Sequence, residues 1–546
     1  MYTDVMTEIA RFKAGRIHVA RAGLATQARL CVDILQQGRG MAWVVKNRDE
    51  LLTARALMRL FSPELSSGDF LPDAFDKGGW TSLPPFSPRS ANREGWTERL
   101  SALYALRSGQ AKGLLLTADN LLPKLVPLDF FENREVTLIR GEDVSLDMIL
   151  EQAVEWGYER VSMVSNPGEI ARRGDILDIM PPGYDKPIRL DFFGDLIEEI
   201  RLFDPVSQRS KANLSEVRVL PVSPIRQSPA DQAKMQARWK SLFQKNMLTE
   251  NERFGLTRLQ EQGDFRLLPG CCYDTATNLE AWLPADTVWV LPGLSDFRDM
   301  LSSAERLWTE AFEAQDVEGR PQPQRLAMRE ASDVESACER FACVHAEPLV
   351  MGIAKGIHDL PERSLSSFED LFPSTAEQDR PWQTLVQALK RWQNDKRQTI
   401  LCFASEKSRT KFLNLASQDG LSPLLRYSGE QHGLFALVAP FRAGAELIWD
   451  QSLILGEDLL QPHAEKSRRV PTGAFKGLDR YDELKPGDLL VHRDYGIARF
   501  GGLLRMETGS TANDFLLLHY SGDDRLYVPV DRLSLIQRFK GGGEAQ

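Results

Sequence analysis

The chain has 546 residues, 42% hydrophobic and 26% charged, with a formal net charge of −10. That length exceeds what one hydrophobic core serves and predicts about three to five domains. The acidic balance opposes sequence-independent nucleic-acid binding and favours protein partners, while no apolar run reaches the roughly eighteen residues that a membrane span requires.

From the N-terminus, residues 1–127 read as alternating strands and helices. Met41 to Val45 is a short apolar run, followed by Asn47 as a helix N-cap and a segment at helical spacing. Gly113 to Thr117 is a second such run, and the breaker-rich KGGWTSLPPFSPRS before it predicts an irregular connection. Between 128 and 213 a strand at VTLIR and a helix from Ser145 to about Trp156 precede a change of period from about 3.6 to 2, the mark of an antiparallel sheet. Residues 214–375 return to helical segments around an apolar strand at 287–293, and 376–461 form a small helix–strand–helix unit. Residues 462–479 are polar and punctuated, as a linker is. Short strands with turn signals over 480–546 predict a small all-β domain.

Catalytic chemistry finds no home in this pattern. A phosphate-cradling loop needs a glycine-rich turn ending in Gly-Lys-Ser/Thr. At the expected place, RAGLATQARL, Gly23 is present but Ala25, Thr26 and Gln27 replace that ending, so ATP hydrolysis is not expected. Cys338, Cys343 and His345 form C-x4-C-x-H beside a helix without a fourth ligand, and read as two half-buried helix cysteines and a surface histidine. The six scattered cysteines fit a reducing cytoplasm, and the N-terminus shows no secretory pattern. The expectation is a cytoplasmic chain with no catalytic residue, no cofactor and no metal.

Two stretches are specific. RRGDILDIMPPGYDKPIRLDFFGDLIEEIRLFDPVSQRS, from Arg172 to Ser210, resembles the second domain of the bacterial transcription-repair coupling factor family, a domain shared with UvrB. LKPGDLLVHRDYGIARFGGLLRMETGSTANDFLLLHYSGDDRLYVPVDRLSLIQRF is similar to that family's RNA-polymerase-interacting, CarD-like domain, which UvrB lacks. The resemblance implies a degenerate P-loop-like α/β core (1–127 and 214–375) with an inserted antiparallel UvrB-type domain 2 (128–213). A small α/β domain (376–461), a linker (462–479) and a C-terminal all-β, Tudor-like domain (480–546) follow. It implies UvrA as one partner and the RNA polymerase β subunit as the other. In the family an ATP-driven translocase follows, and DNA is engaged mainly there. A UvrB-like helicase and a stand-alone CarD-type regulator are the rival readings.

Strand geometry places residues on faces. In IRLDFFGDLIEEIRLF, Ile188, Leu190 and Phe192 point to one side and Arg189, Asp191 and Phe193 to the other. Gly194-Asp195 suits a hairpin turn. On the return strand Leu196, Glu198, Ile200 and Leu202 are expected to face the core, with Glu198 a misfit. Either Arg189 pairs with Asp191 or Glu199 across the sheet and Phe193 tucks under a loop, or the two stand free together as an interface anchor. By resemblance, Arg173, Arg189 and Phe193 are the UvrA contacts, and Leu504, Arg505 and Met506 the RNA polymerase contacts.

Overall fold

Met41–Val45, Gly113–Thr117 and Val288–Pro292 are almost wholly apolar, a pattern that suits a strand covered on both faces. In the computed structural model they join a seven-stranded sheet in which every pairing is parallel. Its order is Ile357–Asp359, Gly15–Ala20, Ala342–Glu347, Val288–Pro292, Met41–Val45, Gly113–Thr117 and Trp80–Leu83. The structure describes residues 2–61, 79–88, 90–205, 208–347, 357–374, 380–427, 432–460, 487–492, 496–508, 511–519, 525–529 and 536–538.

Successive residues of these strands enter two different cores. Ala42, Val44, Leu114, Leu116, Trp289 and Leu291 belong to one, whereas Met41, Trp43, Val45, Leu115, Val288 and Val290 belong to the other. The period-two pleat therefore shows in which core each side chain enters, although it is invisible as an apolar–polar alternation. The helix Arg48–Phe61 begins where its sequence says: the Asn47 side chain accepts from Glu50 N at 3.0 Å, and the Glu50 carboxylate accepts from Lys46 N at 2.9 Å. One expectation changes. Trp80–Leu83, inside the breaker-rich stretch expected to be irregular, is an edge strand of this sheet. An edge strand needs only one partner, so short length and nearby prolines do not forbid it.

The chain leaves the first sheet after Thr117 and builds a second sheet before returning at Val288. This sheet runs in the order Ser210–Leu214, Leu196–Phe203, Ile188–Phe193, Ile176–Ile179, Glu169–Arg173 and Glu159–Arg160. All its pairings are antiparallel except the last, which is parallel. The helix Leu146–Glu155 lays Leu146, Ile149, Leu150 and Ala153 against the inner face, where Leu177, Ile179, Ile188, Leu190 and Phe192 form the core. A third, mixed sheet of Glu362–Leu365, Gly444–Leu447, Ser452–Gly456, Gln398–Phe403 and Leu434–Val438 carries the helices Pro381–Asn394 and Glu406–Gln418.

These sheets belong to one unit, Met1–Pro462, and a second unit spans His463–Gln546. The second contains a five-stranded antiparallel sheet built on Leu490, Ala498, Phe500, Leu516, Leu518, Val528 and Ile536. Residues 462–479, expected to be a linker, lie outside the described residues. Among the described residues no helix is long and apolar enough to cross a membrane.

Leu116 is fully buried and Leu52 is more than half exposed. Leu116→Ala is expected to cost about 2–5 kcal/mol and Leu52→Ala less than about 0.5 kcal/mol, measured by urea unfolding followed through tryptophan fluorescence.

Candidate protein-docking face of the second sheet

Two hairpins of the second sheet turn on the same dipeptide. Gly174-Asp175 joins Glu169–Arg173 to Ile176–Ile179, and Gly194-Asp195 joins Ile188–Phe193 to Leu196–Phe203. Each glycine opens a two-residue loop at positive φ, 61° and 62°, which a side-chain-bearing residue would resist. Ile176 pairs with Asp191, and Phe192 N donates to Asp175 O at 2.8 Å, so both turns lie at one end of the sheet.

Register then assigns the faces, because directly opposed residues of antiparallel strands share a side. Arg173 opposes Ile176, Ile176 opposes Asp191, and Asp191 lies between Arg189 and Phe193 on one strand. Arg173, Arg189 and Phe193 thus come together on the outer face. Their situations differ. Phe193 is 74% exposed at the turn. Arg173 is exposed and makes one backbone contact, donating from Nη2 to Ser162 O at 2.7 Å.

Arg189 is held internally. Its guanidinium clasps Asp178 in a fork, Nε to Oδ1 at 2.7 Å and Nη2 to Oδ2 at 2.8 Å. Nη2 also donates to Gln208 Oε1 at 3.1 Å, and Cζ sits 4.5 Å from the centre of the Phe203 ring. Gln208 adopts φ 57° and donates its backbone N–H to Asp204 O at 2.8 Å. The Asp178 bonds hold the guanidinium charged, raising its pKa against the opposing effect of burial. The expected partners were Asp191 or Glu199. Asp178 takes the place instead because it stands directly across the neighbouring strand from Arg189. Asp191 pairs with Arg201, which also lies 3.4 Å from Glu199.

The return strand departs from strict alternation as well. Its pairing slips between Ile197 and Glu199, a β-bulge that turns Ile197 inward, so Ile197, Ile200 and Leu202 enter the inner core. Leu196, expected in the core, is half-buried opposite Phe193, and Glu198 is exposed.

The cysteine–histidine motif resolves differently from its expectation. Cys338 ends a helix, whereas Cys343 and His345 lie on the strand Ala342–Glu347, and all three are buried. His345 stacks on His18 at 5.5 Å, with Nδ1 3.2 Å from Pro292 O, rather than facing solvent. Burial pushes the Cys343 thiol up to about 12, which keeps it protonated and unreactive. Among the described residues no group of three His, Cys, Asp or Glu side chains is arranged to hold a metal ion.

In the second unit, Gly496–Thr508 pairs along its length with Thr511–His519, setting Leu504 opposite Phe515, Arg505 opposite Asp514 and Met506 opposite Asn513. The side chains of Leu504, Arg505 and Met506 lie outside what the structure describes. On the other side this strand is paired only over Gly496–Arg499. Among the described residues, no strand covers the edge beyond that point.

Residues 136–224 match the UvrB interaction domain, and residues 484–540 match the CarD-like/TRCF RID domain. Those matches define the class, a modular protein that carries both interaction domains on one chain. The chain is 29% identical over 512 residues to the transcription-repair-coupling factor of Myxococcus xanthus, covering 85% of this chain and 40% of that protein. It is 27% identical over 497 residues to the factor of Escherichia coli K12, with 85% and 40% covered. With the factor of Haemophilus influenzae it shares 28% identity over 546 residues, with 94% and 44% covered. The chain matches the N-terminal part of a transcription-repair-coupling factor and spans about two fifths of the length of these relatives.

Asp178→Ala leaves the half-buried Arg189 guanidinium without its carboxylate, and is expected to destabilise the protein by about 2–4 kcal/mol. Phe193→Ala is expected to shift stability by less than about 0.5 kcal/mol. Chemical denaturation of the two variants checks the contrast.

Proposed function

We propose that this chain is the adaptor portion of a transcription-repair-coupling factor, joining RNA polymerase to UvrA. The observation that carries the reading is Phe193, an aromatic side chain 74% exposed at a two-residue turn, with Arg173 on the same face. Aromatic and arginine side chains are the residue types that concentrate binding energy at protein interfaces. The UvrB interaction domain matched here is the module through which we assign UvrA binding, with Phe193 and Arg173 as direct contacts. Arg189 belongs to the same surface, but its fork to Asp178 and its stacking on Phe203 give it the role of fixing the sheet face beneath them.

The CarD-like/TRCF RID match supports RNA polymerase as the second partner, with the β subunit the assigned contact. The partly unpaired strand Gly496–Thr508 supports strand addition as the mode. Main-chain hydrogen bonds would supply affinity, and Leu504, Arg505 and Met506 the choice of partner. The first sheet acts in this reading as a scaffold derived from a degenerate nucleotide-binding core, and no catalytic residue is proposed.

Capture of UvrA by the immobilised chain tests the first assignment. Phe193→Ala and Arg173→Ala should each weaken it by at least about tenfold, or ~1.4 kcal/mol. Undiminished capture by folded variants would remove UvrA from this face. For the second assignment, Met506→Arg should abolish capture of RNA polymerase while circular dichroism stays unchanged. Loss of fold instead would make Met506 a core residue.

A further inference from the structure

The degenerate loop between the first strand and its crossover helix has a second feature. The strand Gly15–Ala20 runs straight into the helix Leu24–Gln36, whose N-cap, Gly23, offers no side-chain hydrogen bond. A helix start without a cap leaves backbone N–H groups aimed at whatever anion stands before it. Here that anion comes from the chain itself. The Glu362 carboxylate accepts from Thr26 N at 2.7 Å and from Ala25 N at 3.3 Å. It sits so close to the turn that a Cβ on Gly23 would lie 2.4 Å from it.

Glu362 is the first residue of a strand in the third sheet, so this contact crosses from one sheet to another. The approach is fixed on both sides. Arg21 adopts φ 56°, its carbonyl accepts from Glu362 N at 3.0 Å, and its Nε donates to Asp359 Oδ1 at 2.8 Å. A non-glycine residue held in the left-handed region persists only where its surroundings impose it. Further residues of the third-sheet module converge on the same helix. Trp449 Nε1 donates to Thr26 Oγ1 at 3.0 Å and its ring stacks on Tyr2 at 4.3 Å, while Arg29 donates to Tyr427 Oη at 3.3 Å.

We propose that Glu362 is a built-in anion that occupies the cradle at the start of the crossover helix, and that it latches the third sheet onto the first. The loop that in a nucleotide-binding protein would face a phosphate faces instead a carboxylate that cannot leave. The site is thereby converted from a ligand pocket into a joint between two modules.

Hydrogen exchange on the full chain tests the latch. Glu362→Gln keeps the side chain's shape and removes its charge, and Glu362→Ala removes the contact. Both should speed exchange by roughly tenfold at Ser452–Gly456 and Gln398–Phe403, strands of the third sheet remote from the substituted residue. Ile188–Phe203 of the second sheet should be unchanged. Should the Ala variant not fold, the Gln variant and Trp449→Phe, which removes the neighbouring hydrogen bond, carry the same comparison. Acceleration confined to Ala25 and Thr26, or absent altogether, would overturn the latch. Excess inorganic phosphate at matched ionic strength should leave wild-type exchange unaltered. Protection of Ala25 and Thr26 by phosphate in the wild type would show an open cradle and overturn the proposal.

Discussion

A parallel strand buried on both faces must find apolar partners above and below, and the arrangement of the unit Met1–Pro462 follows from that requirement. The central strands of the first sheet present Trp43, Val288 and Val290 on one side and Trp289, Leu291 and Leu116 on the other, so two cores are needed. The helices before and after Val288–Pro292 supply one of them, through Trp239, Leu256, Phe297 and Trp308. The other is completed from further along the chain, where Ile400, Phe435, Leu437 and Ile454 of the third sheet join Ile17, Val19 and Trp43. The third sheet is therefore part of the first sheet's burial, and the Glu362 contact lies at this seam.

The second sheet obeys a different rule. Its inner face is covered by the helix Leu146–Glu155 together with Leu138, Val217 and Val219, and its outer face carries polar and aromatic side chains. That face solves an electrostatic problem before it can act as a surface. Asp178 is almost wholly buried, and an unpaired buried carboxylate is costly. The Arg189 fork, steadied by Gln208 and the Phe203 ring, neutralises it. With Arg189 so engaged, Phe193 and Arg173 stand exposed on the same face. In the proposed reading, binding and stability reside in different residues of one face, and substitutions at Phe193 and Asp178 separate the two.

Much of this was legible in the residues. The Gly194-Asp195 turn follows from the need for positive φ at the first position, and the inward and outward sets of Ile188–Phe193 follow from period two. Other features were hidden for physical reasons. The bulge at Ile197–Glu199 shifts register by one residue, and the charged Glu198 gave only a hint of it. Asp178 lies eleven positions before Arg189, and nothing in the spacing says which of several carboxylates will stand opposite it. Trp80–Leu83 is an edge strand amid breakers, where local signals outvoted the tertiary partner that makes it a strand. His345 is buried because its strand is central in the sheet, a position that is set by chain order in space.

By itself the sequence determined several local conformations and the modular class: the Gly194-Asp195 hairpin, the capped helix at Asn47, the missing phosphate-loop ending, and two stretches specific enough to name a family. Only the tertiary structure decided which charges meet, which aromatic stays exposed and which module closes the loop at Gly23. The reason is that local signals depend on neighbours in the chain, whereas the pairings of Arg189 with Asp178 and of Glu362 with Thr26 depend on strand register and sheet packing. Those are settled by burial of the whole unit.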